Sequence, residues 1–182
     1  MTRTALFVLG LCALALPLGA SGQTDPHTYS DPGMSFTAPA DFTPIPVPSS
    51  SPDQFTQPTV VAAFARHPKQ SDMTIITLQM ENTSEDLNDF AADAESKARN
   101  QGSESVFVKK ELTTLSNGMP AYFLDITASQ DAGEAKIYEY VWVDRVRGVT
   151  LAISGRFGTI DDKSAKKALA NVSAVAYPRN RY

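Results

Sequence analysis

The chain has 182 residues, two histidines, a single cysteine at position 12 and a formal net charge of −4. One domain accommodates that length, and no internal repeat is visible. A mildly acidic chain with no basic stripe excludes a phosphate-backbone binder. Past Cys12 there is no sulfur for a disulfide, a zinc–thiolate site or a thiol nucleophile.

The N-terminus reads as a secretory signal peptide over residues 1–22. Arg3 supplies the positive start, Ala5 to Leu16 the apolar run, and Pro17 breaks it ahead of Gly19, Ala20, Ser21 and Gly22. That run is shorter than the roughly 20 residues needed to span a bilayer. Bulky Leu11 before Cys12 argues against a lipidated cysteine. The mature part is therefore expected to be a single exported domain, 23–182, periplasmic or secreted, with no transmembrane segment after signal cleavage. A domain of that size buries about 70% of its unfolded surface and needs no disulfide.

In chain order, Gln23 to Ser30 reads as a loose lead-in. Asp31-Pro32-Gly33 is a turn, and Met34, Phe36 and Ala38 alternate with polar residues as a strand that Pro39 ends. Pro39 to Pro58 holds six of the twelve prolines, so an extended loop is expected there, without helix or central strand. Val60–Arg66 and Met73–Met80 form an antiparallel hairpin around His67–Asp72. A helix is predicted from Glu85 to about Gln101, capped by Thr83 or Ser84 and closed by Gly102. Its apolar stripe is Leu87, Phe90, Ala91, Ala94 and Ala98. Val106–Leu115 and Met119–Ala128 make a hairpin around Asn117-Gly118, a pair suited to the positive φ of a tight turn. A closing helix, capped by Thr159 or Asp161 and running to about Val175, carries Ala165, Ala168, Leu169, Val172 and Val175. A basic tail ends the chain.

Between those pieces lies the pair the chain is organised around, Ala135–Asp144 and Val149–Arg156. On the first strand Ile137, Val141 and Val143 point one way and Tyr138, Tyr140 and Trp142 the other. A strand apolar on two sides belongs in mid-sheet beneath two covers, or presents an aromatic surface. Core is the simpler account. Tyr138, Tyr140 and Trp142 are nevertheless the candidate partner or ligand surface if the two helices share the opposite face. The expected fold is α+β: about seven mostly antiparallel strands flanked by two main helices.

Tyr29-Ser30-Asp31-Pro32-Gly33-Met34-Ser35-Phe36 and the following Pro39-Ala40-Asp41-Phe42 resemble the opening of the PsbP-like superfamily, which includes the DcrB-like exported proteins. The order of elements is similar over the whole mature chain, although Phe42 stands where the family usually has tryptophan. The resemblance implies an α/β/α sandwich and an accessory, binding or assembly role, with no shared catalytic motif to transfer.

The residues suggest no enzyme. His27 and His67 lie in a lead-in and a turn, and no nucleophile elbow accompanies them. The acids Glu81, Glu85, Asp86 and Asp89, and the pair Asp161-Asp162, read as helix N-terminal charges in preference to a cation site. No phosphate-binding glycine pattern occurs, and no cofactor or metal is called for. Asn82-Thr83-Ser84 and Asn171-Val172-Ser173 match the glycosylation pattern, the second inside the predicted closing helix. The expectation is an exported, non-enzymatic binding or accessory protein with an envelope or extracellular protein partner. A carrier of a small apolar ligand between sheet and helices is the alternative, and a hydrolase a more distant one.

Overall fold

A computed structural model describes residues 27–48, 56–66, 73–100, 105–130 and 133–175. The expected signal peptide, His67 and its turn, Gly102 and the basic tail lie outside the described residues. The elements are β1 (Thr28–Asp31), β2 (Gly33–Thr37), β3 (Thr43–Ile45), β4 (Thr59–Arg66), β5 (Thr74–Asn82), α1 (Leu87–Arg99), β6 (Ser105–Thr114), β7 (Pro120–Gln130), β8 (Gly133–Asp144), β9 (Arg147–Arg156), α2 (Asp162–Leu169) and β10 (Val172–Val175). Every strand pairing is antiparallel. Seven strands form one sheet in the order β3-β4-β5-β9-β8-β7-β6, and β1-β2-β10 form a second.

The expected α+β class and seven-stranded sheet are what the chain adopts, with one exchange of membership. The strand around Phe36 leaves the large sheet for the small one, and β3 takes the seventh place. β3 sits in the proline-rich stretch, but as a three-residue edge strand, where Pro44 forfeits no interior ladder bond. Two further strands depart from expectation. The lead-in supplies β1, which pairs Tyr29 with Phe36, and the closing helix stops at Leu169 so that Val172–Val175 pairs with the other edge of β2. The Ser116 hydroxyl fixes that break by donating to the carbonyls of Ala170, at 2.6 Å, and Val172.

The helices take opposite faces of the large sheet. On one face α1 lays Phe90 and Ala91 against Leu124, Ile126 and Val141. Gly148 of β9 makes this approach possible, because a methyl group there would overlap the Phe90 ring. Asp86, not Thr83 or Ser84, caps α1, accepting from the backbone N–H groups of Asn88 (2.8 Å) and Asp89 (3.0 Å). On the other face, α2 and the small sheet cover one continuous core that contains Phe36, Phe64, Ile76, Trp142, Leu151 and Leu169. Asp161 caps α2 through the Ser164 N–H at 2.8 Å.

One ion cluster holds the small sheet to the large one. Arg147, at the start of β9, pairs with Asp31 at 2.7 Å and Asp144 at 3.4 Å, and donates to the Pro32 carbonyl. Asp31-Pro32-Gly33 is the β1–β2 turn, with Gly33 at φ 104° as a type II turn requires. The motif that carries the family resemblance is therefore the socket for this arginine. Tyr29 lies in the same place, its hydroxyl donating towards the Met80 sulfur, and burial and then Asp31 push its pKa upward.

Glu139 interrupts the apolar alternation of β8. It stands between Leu124 and Ala152 on the α1 side of the sheet, and its carboxyl group makes no ion pair or hydrogen bond among the described residues. Burial pushes its carboxyl up to about 7.

Two outcomes follow. Replacing Arg147 with Met breaks both ion pairs and leaves Asp31 part-buried without its guanidinium, and should cost about 3 kcal/mol in urea unfolding. Asp31→Asn should cost less, since Asp144 still faces the guanidinium, and equal losses would discount the cluster. Glu139, raised from 4.5 to about 7 on folding, contributes stability that is complete below the lower value and is lost as pH rises through the upper one. Unfolding free energy should therefore fall by up to ~3 kcal/mol between pH 4.5 and pH 8. Glu139→Gln should remove this slope; an unchanged pH profile would refute the assignment.

Candidate functional site

The register of β7 against β8 brings three rings together on the α2 side of the large sheet. Phe123 stands opposite Tyr140, and Asp125 opposite Tyr138. The Phe123 ring lies 5.9 Å from that of Tyr138, nearly parallel to it, and 5.0 Å from that of Tyr140. Trp142 and Tyr138 are buried and Tyr140 is half-buried at the margin of the core. The row Tyr138, Tyr140 and Trp142 is thus no open platform, because α2 and the small sheet close over it. The alternation along β8 is as expected, and Tyr138 and Trp142 lie in the core with Tyr140 packed against it, in keeping with the simpler account.

Cover on this side is incomplete. α2 has only eight residues and rests on β8 and β9. Beside it, towards β6, a recess of about 230 Å³ remains, lined by Lys109 and Glu111 of β6, Phe123 and Asp125 of β7, and Asp162 of α2. Phe123 forms its floor. Acids stand around the rings, and lysines of the same chain already sit on them. Lys166 lies 4.5 Å from the centre of the Phe123 ring, 3.4 Å from Asp162 and 3.8 Å from Glu111. Lys136 lies 5.0 Å from the centre of the Tyr138 ring, pairs with Asp125 and donates to the Thr127 hydroxyl at 2.8 Å.

Burial and the nearby carboxylates act in the same direction on the two phenols. Burial raises the Tyr138 pKa first, followed by the charges of Asp125, Asp162 and Asp161. Tyr140 is raised by burial and then by Asp162 and Glu111. An aromatic floor with surrounding carboxylates is a receptor for a cation, since the ring face is the negative end of its quadrupole.

The other candidates separate. His27 sits half-buried just before β1. No group of three histidines, cysteines or acids among the described residues is arranged to hold a metal ion. Asp86 and Asp161 serve as helix caps, and Glu81 pairs with Lys97 at 3.5 Å. Asn171-Val172-Ser173 is not helical, for Asn171 lies exposed in the link from α2 to β10. Phe123, Asp125, Lys109, Glu111 and Lys166 did not emerge from sequence reasoning. The alternation of Phe123 with Leu124 within the predicted strand was the one available signal.

No family model matches this sequence, and no curated protein matches it. Solved structures do. Over 87% of this chain and 99% of the other, the fold is similar to cyanobacterial PsbP (CyanoP) from Synechocystis, with a TM-score of 0.56 and 18% identity. It is similar to LpqN, described as involved in cell envelope biogenesis of Mycobacterium tuberculosis, over 81% and 87% of the two chains, with a TM-score of 0.58 and 15% identity. A Bacteroides thetaiotaomicron structure matches with a TM-score of 0.51 and 10% identity over 82% of this chain, which spans only 48% of that longer one. No helix among the described residues is long and apolar enough to cross a membrane. The antiparallel sheet, the two helices on opposite faces and these likenesses together establish that the chain has a PsbP-like fold.

Proposed function

We propose that the protein is an exported, non-enzymatic accessory or binding protein of the cell envelope or extracellular space, and that it engages a protein partner through the cleft beside α2. The carrying observation is the geometry of that cleft. At about 230 Å³ it falls below the 300–1,000 Å³ of typical small-ligand pockets. It matches one long side chain, its floor is a ring, and its walls are carboxylates. A lysine or arginine of the partner is the group that fits, displacing Lys166 from Phe123. The likeness to CyanoP and LpqN supports an accessory role, and the sequence of the first 22 residues supports export.

A pull-down from the native envelope tests this reading. Asp162→Lys should weaken capture of the partner at least tenfold, about 1.4 kcal/mol, whereas Lys163→Glu on exposed α2 surface should leave it intact. Equal capture by the two variants would sink the role of the cleft. Native mass spectrometry of gently extracted protein should show no apolar small molecule; a bound lipid would favour a carrier instead.

A further inference from the structure

The two edges of the large sheet are treated differently. β3 closes one edge with three residues and a central proline, which offers no N–H to a further strand. β6 forms the other edge with ten residues, no proline and an unbroken register against β7. It also carries two of the largest exposed apolar side chains, Phe107 at 65% and Leu112 at 62% exposure, one on each face. Such an edge is a template for another strand.

We propose that β6 pairs antiparallel with β6 of a second copy of this chain, joining two sheets into one. The sequence of the strand selects the register. In a symmetric pairing, directly opposed residues share a face, so each residue meets one an even number of positions away. Centring on Lys110 sets Lys109 against Glu111 twice on the α2 side, and Val108 against Leu112 twice on the α1 side. Exposed Leu112 thereby gains an apolar neighbour, and Phe107 falls opposite Thr113. The like pair at the centre, Lys110 on Lys110, is tolerable because each Lys110 is held by Glu95 of its own α1 at 3.0 Å. Shifting the centre to Lys109 or Glu111 opposes like charges on the α2 side with no compensating exchange of charge. Glu111 lines the cleft, so the partner's Lys109 would stand at its mouth. The pairing does not rest on the cleft's binding a third protein.

Cross-linking tests the register directly. In purified protein carrying Cys12→Ser, Lys110→Cys places the two new thiols opposite one another, at Cα separations of about 4.5–5.5 Å, within disulfide range. Oxidation should give a covalent dimer. Phe107→Cys, whose copies lie six positions apart in this register, should stay monomeric. In sedimentation from micromolar to millimolar concentration, wild type should dimerise, and Lys109→Glu should weaken the dimer at least tenfold. Adding Glu111→Lys to that variant should restore it. A wild type that stays monomeric, cross-linking through Phe107→Cys as readily as through Lys110→Cys, or a double variant no better than the single would each overturn the proposal.

Discussion

A strand with almost no polar face obliges the rest of the chain to supply two covers. β8 is that strand, with Val141 buried on one side and Trp142 and Tyr138 on the other. Each square ångström of apolar surface left wet forgoes about 25 cal/mol, so neither side can stay open at modest cost. α1 answers for the first side through an amphipathic stripe and the absence of a side chain at Gly148. For the second, α2 is too short to suffice, and β1, β2 and β10 complete the cover. Arg147 sits at the end of the same β8–β9 hairpin and fastens that second cover where the chain turns at Pro32.

The cleft is a consequence of how the second cover ends. α2 and the small sheet shield the columns of β8 and β9 and the Ala121–Phe123 end of β7, and leave β6 to face water on that side. Where the cover stops, the side chains change from Leu151 and Ile153 to Asp125, Lys109 and Glu111, while Phe123 stays at the boundary between core and recess. That ring is itself buried, with the core on one side and Lys166 laid over it on the other. Contact sites on rigid elements arise naturally at such margins.

How much of this was legible in the sequence depends on whether the signal was local. Alternation placed β4 through β9 to within a few residues, and the Leu87–Ala98 spacing placed α1, because each pattern is contained within its own segment. β1, β3 and β10 carry no such pattern. They are short, and they form because β2 and β4 present edges whose backbone groups need partners, a condition set elsewhere in the chain. Val172–Val175 illustrates the competition: its spacing continued the α2 stripe, yet the edge beside Phe36 claimed it. The site was hidden for the same reason. Phe123, Glu111 and Lys166 belong to three elements and meet only through cross-strand register and helix docking. The alternation of Tyr138 and Tyr140 on one strand face was legible, but their cover comes from residues far along the chain.

Two kinds of charge cluster in the molecule differ in how easily they exchange partners. Arg147 is nearly buried and contacts two carboxylates and a carbonyl, so its departure would break two ion pairs and a hydrogen bond at once. Lys166 is part-exposed, and its ring contact and two ion pairs are each of a class contributing about 1 kcal/mol or less in water. A partner's lysine or arginine that buried the same ring more completely would gain more from Phe123 than Lys166 does, while Lys166 would recover its solvation and rotamer freedom. Exchange at this position is therefore inexpensive for the protein and selective for cations. The fold keeps its structural charges deep at the hairpin end and its exchangeable ones at the margin of the cover, where rearrangement leaves the core undisturbed.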